Sequence, residues 1–261
     1  MQTIHFISPN IDEDFFKKKD INKTKYLYKI MPLENALKTI KKGLWFAKPS
    51  TWTDPFEKRF YSAKSFRDGN KPINNPLKNK FLCCCMTSIG QSEAHWNTYS
   101  REQIGIQFQF YREKLYSFLC TLPTKYHIFI GYAQYQKKDE IKAPITQNPL
   151  FLSQKFHYKK DEDLAKLLLL KRRAFKYEEE IRFIIANKKR AEYKQAGIAI
   201  HSPQKNFLDT IYAIKISPNC PKETASFLKT YLPQITGKKI KIIQNHLYDD
   251  TEKNRTIIIS K

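Results

Sequence analysis

Long apolar runs are absent from this sequence. No stretch of about eighteen consecutive apolar residues, the length of a membrane-crossing helix, occurs anywhere in the chain. Residues 1–20 alternate apolar and polar side chains and include several acids, so they lack the continuous apolar core of a secretory signal. We therefore expect a cytoplasmic protein that does not associate with membranes.

The cysteines also lack the patterns that hold small folds together. There are five, an odd number, three of them adjacent at Cys83, Cys84 and Cys85, and no pair has the CxxC spacing of a zinc site. This predicts a reducing compartment. The three adjacent cysteines are expected to be small apolar residues of a buried strand rather than reactive thiols.

Acidic residues are scarce relative to basic ones. The sequence has 47 Lys and Arg against 25 Asp and Glu, for a formal net charge of +22. An excess of this size attracts polyanions, so nucleic acid is the first partner to consider. The alternative is a lysine-rich surface that only meets solvent.

No internal repeat, low-complexity linker or composition break divides the chain. Strands and helices are mixed without a regular βαβ rhythm, which favours an α+β fold with mixed, mainly antiparallel sheets and peripheral helices. We expect a single domain over residues 1–261, with its core between roughly 25 and 245 and an N-terminal extension at 1–24.

Periodicity predicts the individual elements. Predicted strands are 25–31, 44–49, 81–89, 104–110, 127–135, 180–186, 210–217, 239–244 and 256–260. Predicted helices are 33–40, 92–99, 112–119, 161–175 and 221–232, and the first is expected to stop at Gly43. The stretch 53–79, with its three prolines, is expected to be a long polar excursion.

Three motif blocks could carry chemistry. The first spans residues 27–57; it begins on the first strand with Tyr28 and Lys29, and near its end Asp54 and Glu57 flank Pro55 and Phe56. Asp54 could cap a helix that begins at Pro55, with Glu57 favourably placed in the first turn, or both carboxylates could line a cleft. In the second block, Trp96 and Tyr99 precede the strand 104–110; they could face a ligand or simply pack in the core.

The third block spans residues 171–186 and includes YEEE, residues 177–180, where the predicted strand 180–186 begins. A period of two puts Glu178, Glu180 and Arg182 on one face, with apolar residues on the other. The charged face could meet water, where the charges pair weakly, or line a cleft, where like charges raise a carboxyl pKa.

Taken together, the blocks resemble the bacterial family known as domain of unknown function 2971. The resemblance rests on the first-strand aromatic motif around Tyr28, the DPFE turn, the W-x-x-Y before a glycine-containing strand, and the YExE-x-R strand. The order of the blocks has a more distant resemblance to ADP-ribosyltransferases. That resemblance implies two packed sheets and NAD as the substrate, with no metal.

The second resemblance also implies roles for individual residues. Glu180 would stabilise the positive charge that develops on the ribose, and Glu178 would position or deprotonate a nucleophile. Tyr99 would stack on nicotinamide. The remaining candidates for holding the NAD are Tyr28, Lys29, Trp96, Asp54, Glu57 and Arg182, of which Trp96 would support Tyr99 and Arg182 would orient Glu180.

This interpretation predicts a transferase that acts on a nucleic acid or a protein, as a bacterial toxin or phage-defence effector with a possible neutralising partner. Two other classes stay open. One is a metal-dependent nuclease with Asp54, Glu57, Glu178 and Glu180 as ligands. The other is a non-catalytic nucleic-acid-binding module.

Overall fold

The computed structural model describes residues 2–7, 24–62, 66–68, 71–100, 104–137, 160–188 and 193–248. The strands are β1 (Ile4–Phe6), β2 (Tyr26–Pro32), β3 (Leu44–Ala47), β4 (Phe66–Asp68), β5 (Lys71–Ile73), β6 (Phe81–Thr87), β7 (Gly105–Tyr111), β8 (Tyr126–Tyr132), β9 (Gln134–Gln136), β10 (Leu170–Arg172), β11 (Glu180–Asn187), β12 (Gly197–Ile200), β13 (Ile211–Ile216) and β14 (Lys241–Gln244). The α-helices are α1 (Leu33–Lys42), α2 (Pro55–Ser62), α3 (Glu93–Tyr99), α4 (Arg112–Leu119), α5 (Asp161–Leu167) and α6 (Lys222–Thr236). Short 3₁₀ turns span Pro49–Thr51, Arg173–Glu178 and Phe207–Thr210.

The main sheet forks at β6. Its strand order is β1-β8-β11-β6-β2-β7-β13-β14, and β3 and β12 branch from β6. Strand β6 pairs with β11 along its whole length, but it meets β2 only at Tyr28–Thr87 and β3 only at Ala47–Cys83. We call β1-β8-β11-β6 the first half and β2-β7-β13-β14 the second half. The two halves are thus joined by a narrow junction.

One apolar core fills the space between the halves. Phe183 of β11 and Phe108 of β7 belong to the same buried cluster, as do the buried apolar residues of α1 and α6. Most strand pairs are antiparallel; the parallel pairs among the described residues are β1–β8, β9–β10 and β13–β14. The predicted α+β fold with a mainly antiparallel sheet is confirmed, and the two layers are the halves of one forked sheet.

The absence of a side chain at Gly105 positions α3. A Cβ atom there would lie 2.3 Å from Cβ of Ser100 and 3.1 Å from the indole of Trp96. Only glycine therefore lets the end of α3 lie directly on the start of β7. Ser92 caps the other end of α3 by accepting a hydrogen bond from the backbone N–H of His95.

Two element predictions are wrong. The predicted helix 161–175 ends at Leu167, because the chain then pairs its backbone with β9: Gln134 N–H donates to the carbonyl of Leu169, and β10 continues parallel to β9. Tertiary strand pairing overrides helix propensity there. The stretch 53–79 is not one long loop, since it contains α2 and the hairpin β4–β5.

The chain ends add one strand and leave one prediction open. Strand β1, within the predicted extension 1–24, joins the edge of the sheet beside β8. The predicted strand 256–260 lies outside the described residues. Among the helices of the described ranges, none has the length and apolar character to span a membrane.

Core packing predicts a large effect of truncation at the centre of the first half. Phe183 is fully buried on β11, between β6 and β8. Phe183→Ala should lower the free energy of unfolding by about 3–5 kcal/mol, because it leaves a cavity. Urea unfolding measures the loss. Phe227→Ala is the matched control: that ring is 61% exposed on α6, and a change beyond about 0.5 kcal/mol is not expected. Equal losses in both variants would contradict the assigned core.

Candidate active site

A cleft opens where β2 separates from β6. Residues from both strands, from α3 and from the start of β11 line it: Tyr28, Lys29, Ile30, Cys85, Met86, Thr87, His95, Tyr99, Glu178 and Glu180. Each of the three sequence blocks therefore contributes to its walls. The blocks are far apart in the chain, and the narrow junction of the sheet is what brings them to one place.

Two carboxylates share one ammonium group in this cleft. Lys171 Nζ of β10 lies 2.7 Å from Glu178 Oε2 and 2.9 Å from Glu180 Oε2. Glu179 between them has left-handed backbone angles, φ 41° and ψ 50°, at the junction of the 3₁₀ turn and β11. This break in the chain direction puts both glutamates beside Lys171, although Glu178 precedes the strand.

A buried arginine holds Glu180 from behind. Arg182, 1% exposed, donates from Nη2 to Glu180 Oε2 at 2.7 Å and also pairs with Glu57 of α2. Its Nη1 donates to the carbonyl of Leu168, and its guanidinium lies 4.4 Å from the centre of the Trp52 ring. A continuous chain of charged groups thus runs from α2 to the cleft.

The cations decide which carboxylates are ionised. Burial would raise the pKa of Glu180, but Arg182 and then Lys171 hold it well below its ordinary value. Burial raises the pKa of Glu57 despite its contact with Arg182. Burial would lower the pKa of Lys171, but Glu180 and the neighbouring carboxylates raise it. The carboxylate of Glu180 is therefore ionised at neutral pH.

Tyr99 closes one side of the cleft. Its hydroxyl donates to Glu178 Oε2 at 2.6 Å, while its side chain remains 40% exposed. Burial of the hydroxyl, and then Glu180 and Glu178, raise the Tyr99 pKa far above its ordinary value. The phenol therefore stays protonated as a donor, and the ring presents a face to the cleft.

Sequence reasoning missed His95 and Lys171. His95 is 2% exposed and lines the cleft, and its Nε2 has no hydrogen-bond partner among the described residues. Burial lowers its pKa, so the imidazole is neutral at neutral pH. The sequence feature that could have pointed to His95 is its position next to Trp96 in the second block. Lys171 is the first residue of the third block, but the helix expected over 161–175 gives no reason to place it beside Glu178 and Glu180.

The other predicted residues divide into two groups. Tyr28 and Lys29 line the cleft, and Lys29 Nζ donates to the carbonyl of Cys85 at 2.7 Å. The residues without a surface in the cleft are Trp96, Asp54, Glu57 and Arg182. Trp96 lies on α3 with its side chain buried.

Asp54 has the structural role that the first block allowed. Its Oδ1 accepts from Phe56 N–H at 3.0 Å, so it caps α2 as the first interpretation predicted. Arg172 holds both carboxylate oxygens of Asp54, each at 3.0 Å. The carboxylate is therefore fully engaged away from the cleft.

The adjacent cysteines behave as expected. Cys83 and Cys84 are buried in β6, and Cys85 is partly buried at the cleft. Burial raises the pKa of all three thiols. They are therefore protonated at neutral pH and poor nucleophiles.

A larger depression lies elsewhere, between the end of α1 and residues 201–208. None of its lining residues is a buried charged side chain. Ionised groups held out of water are typical of catalytic sites, so the chemistry favours the cleft at the fork.

Comparison with known proteins bears on the segment that supplies four of the ten residues lining this cleft. Residues 95–183 match the family model described as "Protein of unknown function (DUF2971)". The match covers about a third of the chain and includes every cleft residue of α3 and of the YExE-x-R strand. The predicted resemblance to this family is confirmed over that segment. No curated protein matches the sequence.

Two solved structures are similar in backbone path. They are Thermus sp. 2.9 DarT in complex with NAD+, with 7% identity, and the same protein in complex with ADP-ribosylated ssDNA, with 8% identity. Each has a TM-score of 0.38 and covers 85% of this chain; the shares of those chains are 96% and 95%.

The charge chain predicts that Arg182 stabilises the fold. Arg182→Met leaves Glu57 and Glu180 buried without their shared cation, so the free energy of unfolding should fall by about 3–5 kcal/mol at pH 7. Without the cation, burial raises the pKa values of Glu57 and Glu180. As the pH falls through these raised pKa values, the two glutamates take up protons, and their buried charges no longer destabilise the fold. The deficit should therefore shrink from pH 7 towards pH 5.

Urea unfolding at both pH values measures this deficit, and Arg172→Met is the matched control. Arg172 is partly exposed and pairs with one carboxylate, Asp54, so its replacement should cost less. A deficit for Arg182→Met that does not change with pH would contradict an electrostatic role.

Proposed function

We propose that this protein is an NAD-dependent ADP-ribosyltransferase whose reaction takes place in the cleft at the fork of the sheet. The observation that carries the proposal is the convergence of Tyr28, Tyr99 and Glu180 on that one cleft. The acceptor is a nucleic acid or a protein, and a role as toxin or phage-defence effector belongs to the same proposal.

Glu180 supplies the negative charge that the reaction needs. When the bond between nicotinamide and ribose breaks, nicotinamide leaves with the bonding electron pair and positive charge develops on the ribose. A carboxylate that is already fixed and ionised stabilises this charge without reorganising. The hydrogen bonds from Arg182 and Lys171 to Glu180 support that role, because they fix its position and keep it ionised.

Glu178 and Tyr99 complete the reacting end. The acceptor forms a new bond to the ribose carbon and loses a proton, which Glu178 can take as the second carboxylate of the cleft. The exposed face of Tyr99 suits stacking on the nicotinamide ring. The unpartnered Nε2 of neutral His95 offers a hydrogen bond to the bound ligand.

Tyr28 and Lys29 are assigned to the far end of NAD. Both lie on β2 across the cleft from Glu180. Lys29 donates one hydrogen bond to Cys85, and an ammonium group has three donors, so it can also contact a pyrophosphate. The remaining four residues act from behind the cleft walls. Trp96 supports Tyr99, Asp54 caps α2, and Arg182 holds both Glu57 and Glu180.

The pairing of carboxylates with cations favours this proposal over a metal-dependent nuclease. Arg172 engages Asp54, Arg182 engages Glu57, and Lys171 bridges the two cleft glutamates. A metal would have to displace the ammonium group of Lys171 to reach both glutamates. Among the described residues, no group of three or more histidine, cysteine, aspartate or glutamate side chains has the arrangement of a metal site.

Replacement of Glu180 tests the reaction. Glu180→Gln should lower nicotinamide release from NAD by about 100-fold or more, because the amide keeps the shape but loses the charge. Chromatography of the released nicotinamide measures this, with circular dichroism to show that the variant is folded. Glu179→Gln is the matched control, since Glu179 is the adjacent carboxylate and does not line the cleft. Undiminished release by Glu180→Gln would refute the assignment.

Two substitutions of Tyr99 separate the effect of ring stacking from that of the hydrogen bond to Glu178. Tyr99→Phe keeps the ring and removes the bond to Glu178, so KM for NAD should stay near the wild-type value while kcat falls. Tyr99→Ala should also raise KM, by up to about tenfold. Tyr177→Phe is the control, because Tyr177 is equally exposed but pairs with Thr98 and does not line the cleft. An unchanged KM in Tyr99→Ala would exclude stacking.

A further inference from the structure

The outer face of the second half of the sheet is polar and aromatic. On β7, Ile106, Phe108 and Phe110 point into the core. The alternation of the strand therefore puts Gln107, Gln109 and Tyr111 on the opposite face, where the two glutamines are buried and Tyr111, at the end of the strand, is half-buried. Neighbouring strands bring tyrosines and lysines to the same face, some of them half-buried and some exposed.

Three tyrosines form a cluster on this outer face. The ring centres of Tyr26 and Tyr212 are 4.8 Å apart and stacked, and Tyr111 lies 5.5 Å from Tyr26 and 5.1 Å from Tyr212. Tyr26 and Tyr111 are direct cross-strand partners. Tyr212 reaches the cluster because the register of β13 shifts between Ile211 and Ala213.

Lysines border the same rings. Lys25 Nζ lies 5.4 Å from the Tyr26 ring centre, Lys114 Nζ 4.7 Å from that of Tyr111, and Lys215 Nζ 5.5 Å from that of Tyr28. Within the described part of the chain, none of these lysines forms an ion pair with a carboxylate. Lys25 and Lys114 are exposed and Lys215 is half-buried, so the first two in particular can meet an external anion. We call Tyr26, Tyr111, Tyr212, Lys25, Lys114 and Lys215 the tyrosine–lysine face.

This face is continuous with the cleft through Tyr28. Tyr26 and Tyr28 are two residues apart on β2, so they point to the same side and lie about 7 Å apart. Tyr28 lines the cleft and carries Lys215 over its ring. A chain of rings and ammonium groups therefore leads from the tyrosine cluster to the glutamates.

We infer that the tyrosine–lysine face binds single-stranded nucleic acid and leads it to the cleft. Aromatic rings stack on the faces of unpaired bases, and lysines contact phosphates. In a duplex the base faces are hidden, so a duplex could use only the lysines. An acidic peptide would likewise pair with the lysines and would not stack on the tyrosine rings. The inference rests on the proposed function only in identifying the cleft as the place of modification.

Binding can be measured without NAD. The probe is a fluorescein-labelled single strand of about 15 nucleotides, as DNA and as RNA, with fluorescence anisotropy of the full chain as readout. Competition by a duplex of the same sequence and by heparin compares the other polyanions. The single strand should bind more tightly than the duplex, with an affinity that falls as salt rises.

Variants of the face separate stacking from charge. Tyr111→Leu with Tyr212→Leu should weaken single-strand binding about tenfold or more, because two stacking faces are removed while apolar packing is kept. Lys114→Gln with Lys215→Gln should reduce the slope of log affinity against log salt by about 0.7 for each phosphate that the variant no longer neutralises. The lysine variant keeps the test decisive if the tyrosine variant does not fold.

The control is a stacked ring pair on another surface, Phe227 and Tyr231 of α6, whose ring centres are 5.4 Å apart. Phe227→Leu with Tyr231→Leu should bind the oligonucleotide like wild type. Wild-type affinity in both variants of the tyrosine–lysine face, or equal binding of duplex and single strand, would overturn the inference.

The two proposals fail differently. Oligonucleotide binding is measured without NAD, and nicotinamide release is measured without oligonucleotide, so each measurement bears on one proposal. Oligonucleotide binding without any nicotinamide release would refute only the transferase. Nicotinamide release with no contribution of the face to binding would refute only the tyrosine–lysine face.

Discussion

The structure depends on one buried guanidinium. Arg182 lies on β11, in the middle of the first half, and it pairs with two carboxylates, one from α2 and one from its own strand. A carboxylate taken out of water is costly unless a cation and hydrogen bonds replace the lost solvent. Arg182 meets that requirement for Glu57 and Glu180 together. It thereby ties α2 to the sheet and fixes the carboxylate that the proposed reaction uses.

The cleft exists because the two halves of the sheet are joined by so little. A fully paired β2–β6 edge would leave no room between them, whereas the single pair Tyr28–Thr87 lets the strands diverge. Backbone that is not needed for pairing can then line a ligand site. The walls are rigid, since β2 and β6 are each held by long ladders on their other sides, to β7 and β11. A site on such elements holds its side chains more firmly than one on loops.

The large positive charge takes on a specific form in the tertiary structure. At the cleft, lysine and arginine neutralise buried glutamates, so part of the excess is internal and structural. On the outer face of the second half, lysines stand next to tyrosine rings and carry no carboxylate partner in the described ranges. The same residue type therefore has two distinct electrostatic roles, which composition alone does not separate.

The sequence by itself determined the local elements and pointed to the glutamates that line the cleft. Alternation over 104–110 and 180–186 specifies strands, and the order of the three blocks points to Tyr28, Tyr99 and Glu180. These signals are local, because side-chain periodicity depends only on neighbouring residues. Sequence reasoning does not identify Lys171 or His95 as cleft residues, because their places depend on contacts with residues distant in the chain. It also places the end of α5 too late, because the pairing of β10 with β9 is such a contact. Only the tertiary structure decided that the charged face of β11 lines a cleft rather than meeting water, since that depends on where the sheet forks.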